Sequence, residues 1–115
     1  MVPGKYNIVC PQGTTLMQQL TYSENGTPVN LFGYTARMQV REITKSANVM
    51  LSLTTENGGI VLGGSAGTIN LIASAAATTA MYAKEYVYDI ELVSASGTVY
   101  RIIEGKFIVT PEVTR

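Results

Sequence analysis

The chain has 115 residues, no formal net charge, one cysteine, and neither histidine nor tryptophan. It therefore cannot form an intramolecular disulfide, a Ser-His-Asp or Cys-His catalytic set, or a His/Cys zinc site. Charged residues make up 14% of the sequence, against about 25% in typical soluble domains, and no basic excess favours nucleic acid. The length predicts one domain, 1–115, and the missing catalytic and metal-binding residue types disfavour an enzyme with a cofactor or a metal, just as the absent basic excess disfavours a nucleic-acid partner. The low charge also predicts a surface largely covered by partners, the alternative being an ordinary surface rich in Thr, Ser, Asn and Gly.

The sequence contains no recognisable targeting or membrane segment. Lys5 precedes an apolar run of only a few residues, whereas a secretory signal needs roughly 7–15. The longest stretch of low polarity, Leu71 to Met81, is too short to span a bilayer. We therefore expect no membrane association.

Short runs of strand-favouring residues alternate with turn sequences such as Asn25-Gly26 and Asn57-Gly58 along the whole chain. The predicted strands are Tyr6–Val9, Thr15–Tyr22, Thr35–Ile43, Val49–Leu53, Ile60–Leu62, Thr68–Ile72, Tyr86–Val93, Thr98–Ile103 and Lys106–Thr110, with Pro28–Leu31 as a brief extended piece. Gly105 is expected to mark a bulge or kink between the last two strands. Short strands at this spacing predict a β-sandwich or barrel.

Tyr86–Val93 has the clearest alternation, with Tyr86, Tyr88, Ile90 and Leu92 expected on a buried face. The preceding segment, Ser74–Ala83, is rich in alanine and does not alternate, which predicts one short helical connection with Ser74 as its N-cap. In Greek-key sandwiches such a connection crosses between sheets before a strand that begins at a tyrosine corner. The pattern therefore predicts an all-β sandwich or barrel with one short helical connection.

Three features could carry chemistry, and each has a simpler structural interpretation. Gly63–Gly67 resembles a phosphate-binding loop but has no nearby lysine and precedes a strand, which favours a hairpin loop. Asp89 and Glu91 are separated by about 7 Å on one strand face, which overlaps glycosidase geometry, although pairing with Arg37, Arg41 or Arg101 on a solvated face is favoured. Cys10 has no activating neighbour and is predicted to be a buried structural thiol.

The seven tyrosines, Tyr86 and Tyr88 among them, fit either the sheet core or a protein interface. The methionines Met17, Met50 and Met81 are open to the same two interpretations. Neither set of residues distinguishes a core from a binding surface by its sequence pattern.

Two motifs are specific enough to indicate a family. They are Leu31–Arg41, which reads LFGYTARMQVR, and Tyr86–Leu92, which reads YVYDIEL. Further matching segments are Lys5-Tyr6, Gln12–Thr14, Pro28–Asn30, Leu53–Ile60, Gly67–Ile69, Val93, Gly97, Arg101, Glu104-Gly105 and Thr110–Arg115. From Lys5 to Arg115 the chain resembles a family of small structural proteins of tailed bacteriophages and the N-terminal domain of phage baseplate upper proteins. It departs from that family at Tyr82–Glu85, where relatives usually carry a Pro/Ala-Gly turn.

The resemblance implies a fold, an immunoglobulin-like antiparallel β-sandwich with one short helical connection. It also implies a non-enzymatic virion protein without a cofactor, located in the virion after assembly in the cytoplasm of the bacterial host. It implies an adaptor or accessory subunit of the tail, baseplate or fibre-attachment region, present in multiple copies and partnered by other phage virion proteins. The alternative is a capsid decoration (cement) protein, and a third class, an enzyme or sugar-binding module, is disfavoured by the missing Trp and His.

The opening segment Met1–Val9 is the predicted assembly contact, through Val2, Tyr6 and Ile8, because a short terminal strand can add to the sheet edge of a neighbour. The alternative is that this segment pairs inside its own sandwich.

Overall fold

A computed structural model describes residues 3–114 of the chain as two sheets packed face to face around one core. The strands are β1 (Gly4–Lys5), β2 (Ile8–Pro11), β3 (Leu16–Thr21), β4 (Ser23–Glu24), β5 (Thr27–Pro28), β6 (Thr35–Arg41), β7 (Leu51–Thr54), β8 (Ile60–Leu62), β9 (Thr68–Ala73), β10 (Glu85–Val93) and β11 (Val99–Thr110). One α-helix, α1, spans Ala75–Thr79. Within residues 3–114 no helix has the length and apolar character needed to cross a membrane.

The larger sheet has the order β1-β11-β10-β6-β7, with β2 also paired to β11. The smaller sheet has the order β3-β9-β8, and β4 and β5 form a separate hairpin. These two orders correspond to the G-F-C-C′ and B-E-D strands of immunoglobulin domains, and the connections β7–β8 and β9–β10 cross between the sheets. The fold is an all-β, immunoglobulin-like sandwich with one short helical connection, as the sequence predicts.

Inner faces of both sheets supply the core, and alternation along the strands is clearest in β6 and β10. In β10, Tyr86, Tyr88, Ile90 and Leu92 are buried while the residues between them are half-buried. Other core side chains are Ile8, Cys10, Leu16, Met38, Val40, Leu53, Ile60, Ile69, Leu71, Met81, Phe107 and Val109. The predicted inner and outer faces of this strand are therefore confirmed.

The helical connection is fixed at both ends by hydrogen bonds. The Ser74 hydroxyl accepts a bond from the Ala77 amide at 3.2 Å, so the predicted N-cap is confirmed. Buried Thr78 donates its hydroxyl to the Thr14 carbonyl at 2.8 Å, which ties the helix to the turn before β3. At the start of β10, the Tyr86 hydroxyl donates to the Tyr82 carbonyl at 2.7 Å. That bond back across the crossover is the expected tyrosine corner.

Several strand bounds differ from the sequence-based expectation. In place of one strand at Tyr6–Val9 there are two, β1 before it and β2 from Ile8 onward. Of the extended piece predicted at Pro28–Leu31, only Pro28 lies in a strand, as the last residue of the β4–β5 hairpin around Asn25-Gly26. Both residues of that turn have positive φ, which asparagine and glycine tolerate best. Both β1 and β2 run parallel to β11, so the sandwich is antiparallel except at this edge.

Gly105 does not divide the last strand, contrary to the prediction of two strands. Residues Val99–Thr110 form one strand, and the register shift in the β10–β11 ladder lies between Ile90 and Glu91 instead. A Cβ atom at Gly105 would collide with the backbone carbonyl of Tyr6. The glycine is needed because the N-terminal segment runs parallel beside β11 and its Tyr6 carbonyl approaches residue 105 closely, and close backbone approach is the other established role of a glycine within a strand.

Candidate functional site

Chemistry on the outer faces distinguishes the two sheets. We call the sheet of β1, β2, β6, β7, β10 and β11 the charged sheet, and the sheet of β3, β8 and β9 the neutral sheet. Charged residues in the strands of the charged sheet are Lys5, Arg37, Arg41, Glu85, Asp89, Glu91, Arg101, Glu104 and Lys106. The strands of the neutral sheet contain no charged residue.

Charges on the charged sheet are organised as ion pairs between neighbouring strands. Arg37 Nε lies 2.8 Å from Glu91 Oε1, and Arg101 Nε lies 3.3 Å from Asp89 Oδ2. The Lys5 ammonium pairs with Glu104, and its hydrogen bond lowers the pKa of that carboxyl. The predicted pairing of Asp89 and Glu91 with arginines on a solvated face is confirmed. Exposed pairs of this kind add little to stability, because water and salt screen the attraction between the two charges.

A shallow depression of about 440 Å³ lies on the same face, lined by Arg41, Asp89, Arg101, Glu104 and Lys106 among others. Burial raises the pKa of Asp89, the neighbouring Glu91 raises it further, and Arg101 opposes both effects. Because the carboxylates here are held by cations, their arrangement is typical of a structural ion-pair lattice rather than of an acid–base pair. Within residues 3–114, no group of three or more His, Cys, Asp or Glu side chains could hold a metal ion.

The outer face of the neutral sheet is uncharged and partly apolar. Met17 is 79% exposed, Val61 49% and Ile72 38%. Met17 and Ile72 are register partners in β3 and β9, so the two side chains lie side by side. Around them are the side chains of Gln19 and Asn70, which bond to each other at 2.9 Å. Such a face can bind protein by shape and apolar contact but offers no long-range electrostatic attraction.

Three residues were predicted as assembly contacts in the opening segment. Val2 lies outside the described residues. Tyr6 is 44% exposed, although its backbone is occupied: its amide donates to the Glu104 carbonyl at 3.1 Å and its carbonyl accepts the Tyr88 hydroxyl at 2.6 Å. Burial raises the pKa of the Tyr88 hydroxyl far above its ordinary value, so it remains a donor.

Ile8 is 1% exposed and packs in the core, so its side chain offers no surface to a partner. The reason is the pairing of Ile8 with Phe107 in the β2–β11 ladder, which turns the isoleucine inward. Residues 4–5 and 8–11 pair with β11 of the same chain. For these residues the alternative interpretation holds: the opening segment pairs inside its own sandwich.

The remaining candidates take their simpler interpretations. Gly63–Gly67 is the loop of the β8–β9 hairpin, with a short 3₁₀ turn at Gly64–Ala66. Cys10 is buried, and burial raises the pKa of its thiol. Tyr86 and Tyr88 belong to the core, whereas Tyr82 is strongly exposed. Met81 is a core residue and Met17 a surface one, so the methionines divide between the two interpretations.

Sequence reasoning missed the separation of charge between the sheets. Two long runs of the sequence, residues 6–23 and 57–83, contain no charged residue. The first contains β3 and the second contains β8 and β9, which together make up the neutral sheet. These gaps in charge were therefore a visible indication of one uncharged sheet.

No protein-family model matches the chain, and no curated protein matches it in sequence. Among solved structures, the chain is similar to CopC from Methylosinus trichosporium OB3b at 12% sequence identity. The similarity covers 100% of this chain and 90% of that chain, with a TM-score of 0.49. A likeness this weak carries no argument about function, and the fold follows from the strand order of the chain itself.

Proposed function

We propose that the chain is a non-enzymatic structural protein of a tailed-phage virion, an adaptor or accessory subunit of the tail, baseplate or fibre-attachment region. It acts through protein–protein assembly, in multiple copies, with other virion proteins as partners. The observation that carries this proposal is the uncharged outer face of the neutral sheet, with Met17, Val61 and Ile72 exposed together. The resemblance of Lys5–Arg115 to small phage structural proteins supplies the biological context.

Charge distribution further supports assembly as the mode of action. The carboxylates of Asp89, Glu91 and Glu104 are paired with cations, so the charged sheet has little unsatisfied charge to offer a substrate. An uncharged, partly apolar face costs less to desolvate than a charged one, and large exposed apolar patches mark interaction sites. The neutral sheet is therefore the surface that a partner covers.

Fractionation of virions tests this proposal directly. Virions of the phage that encodes the chain are separated into tails and capsids, and the chain is quantified in each fraction by mass spectrometry. We expect it in the tail fraction. Recovery with capsids would replace the proposal by capsid decoration, and absence from purified virions would overturn both.

A pair of variants tests the surface. Val61→Lys places a charge on the outer face of the neutral sheet, and Gln39→Lys places the same charge on the outer face of the charged sheet. We expect Val61→Lys to reduce incorporation at least tenfold with an unchanged melting temperature, because tenfold corresponds to about 1.4 kcal/mol of lost contact energy. Gln39→Lys should be incorporated like the wild type. Equal incorporation of both variants would remove the neutral face from the interface.

A further inference from the structure

The neutral sheet ends in an open strand edge. In the order β3-β9-β8, β3 has a hydrogen-bonded neighbour only on the β9 side among the described residues. The Ile72 amide bonds to the Gly59 carbonyl at 2.8 Å, so the backbone groups of Ile72 point away from β3. Because backbone direction alternates along a strand, Met17, Gln19 and Thr21 direct their N–H and C=O groups outward from the sheet.

Within residues 3–114, these outward backbone groups make one described hydrogen bond. It is long, at 3.5 Å, and runs from the Gln18 side-chain amide to the Gln19 carbonyl. Since an unpaired backbone row is a template for another strand, the β3 edge is a potential pairing site.

Other edges of the sandwich are shorter or already occupied. In β7, the Asn57 side chain accepts from the Thr54 amide at 2.9 Å and donates to the Ser52 carbonyl at 3.0 Å, which covers part of that edge. β8 has three residues, and β2 ends at Pro11. By contrast β3 is six residues long, uncharged, free of proline and in continuous register with β9. It lacks the usual devices that prevent edge pairing.

We propose that two copies of this chain pair through their β3 edges, antiparallel about a two-fold axis at Gln19, so that two neutral sheets become one six-stranded sheet. This arrangement sets Gln19 opposite Gln19 of the second copy and Met17 opposite Thr21 of the second copy. Each opposed pair exchanges two backbone hydrogen bonds, so the outward groups of Met17, Gln19 and Thr21 are all satisfied. The contact is isologous and closes on itself.

The charge of the chain favours a second copy as the occupant. No charged residue lies on β3, so no like charges meet across the axis, and the net charge of zero removes long-range repulsion between copies. Pairing also brings the exposed side chain of Met17 beside the second copy, which buries apolar surface on the outer face. The inference rests on the proposed function in that both treat the chain as an assembly protein.

The molecular mass of the isolated full chain in solution tests the pairing. We expect the wild type to have twice the 12.3 kDa chain mass by light scattering after size-exclusion chromatography. Gln19→Lys opposes two like charges at the axis and should give the single-chain mass while keeping the strand signal of the wild type in far-ultraviolet circular dichroism, which shows that the variant is folded. The control Val61→Lys puts the same charge at the far edge of the same sheet and should remain a dimer. A single-chain mass for the wild type, or a Gln19→Lys dimer, overturns the proposal.

A second variant tests the register. Directly opposed, hydrogen-bonded residues of an antiparallel pair have Cα atoms about 5.5 Å apart, which is within disulfide range. Gln19→Cys should therefore form a disulfide dimer on mild oxidation, whereas Val61→Cys should not, and native Cys10 is buried in both. Cross-linking of Val61→Cys alone overturns the β3 pairing. Because these measurements use no virion, their failure leaves incorporation into virions, and hence the proposed function, to be judged separately.

Discussion

In both sheets, alternate residues of a strand point to the outer face. On the charged sheet these outward residues include paired acids and bases, whereas on the neutral sheet they are uncharged. On the charged sheet, ion pairs such as Arg37–Glu91 and Arg101–Asp89 cross between strands. On the neutral sheet, the corresponding outward positions carry Met17, Gln19 and Ile72. A solvated ion-pair lattice keeps its face in water, because removing charges from water is costly. The uncharged face carries no such cost, so the comparison identifies which side of the sandwich can be covered.

The edges of the two sheets also differ, in whether another segment of the chain pairs with the strand there. Along β11 of the charged sheet, the N-terminal segment pairs over residues 4–5 and 8–11, so the chain itself occupies the backbone groups of β11 there. At the β3 edge of the neutral sheet, no described residue performs that task. The chain therefore protects one sheet with its own terminus and leaves the other available on both its face and its edge.

The strongest test of the inner and outer faces is Ile90→Ala. Ile90 is fully buried on the inner face of the charged sheet, so we expect a loss of about 2–5 kcal/mol in the free energy of unfolding. The matched change on the outer face of the neutral sheet, Met17→Ala, should alter it by less than about 0.5 kcal/mol. Urea denaturation measures both. Similar losses for the two variants would contradict the separation of core and surface on which the comparison depends.

Gly105→Ala tests how the charged sheet closes its edge. The added methyl group would collide with the Tyr6 carbonyl, and overpacking of this kind costs typically about 1–3 kcal/mol. Gly4→Ala is the control, since its new Cβ atom would lie 3.6 Å from the Ile102 carbonyl, an ordinary contact. Thermal denaturation of both variants checks the expectation. If Gly105→Ala has the melting temperature of the wild type, the Tyr6 carbonyl does not lie as close to residue 105 as described.

Tyr86→Phe tests the hydrogen bond of the tyrosine corner, which joins the charged sheet to the crossover from the neutral sheet. Removing the bond to the Tyr82 carbonyl should cost about 0.5–1.5 kcal/mol. Tyr82→Phe, at an exposed ring, serves as the control and should be close to neutral. Equal stability of the two variants in urea would show that the bond contributes nothing.

The alternation of apolar and polar residues predicted most of the fold and part of the candidate site. The faces of β10, the β8–β9 hairpin and the Ser74 cap follow from local sequence rules, and local rules are what a single sequence displays. The role of Gly105 and the parallel pairing of β1 and β2 depend on which segment lies beside β11, a contact between residues far apart in the sequence. The open β3 edge likewise depends on the order of strands in the sheet, which cannot be deduced from the residue pattern of β3 itself.

Asp89→Asn gives the smallest expected effect and isolates one carboxylate of the charged face. At neutral pH we expect a change below about 0.5 kcal/mol, because the side chain is partly exposed and its ion pair with Arg101 lies at the surface. The pH dependence is the sharper readout. Burial, and then Glu91, raise the pKa of Asp89 in the folded state above its ordinary value of 3.8.

A raised carboxyl pKa means that the folded state binds more protons than the unfolded state between the two pKa values, so this group stabilises most at low pH and loses that contribution as pH rises. Glu104 has the opposite sign, since Lys5 lowers its pKa and its contribution is lost as pH falls. Both proteins keep Glu104, so the stability of wild type minus that of Asp89→Asn reports Asp89 together with its electrostatic coupling to Glu91 and Glu104. We expect this difference to decrease as the pH rises above the ordinary carboxyl value of 3.8 in urea titrations. A difference that increases over that range would mean that Arg101 outweighs burial, and that the charged lattice stabilises the fold more than its exposure indicates.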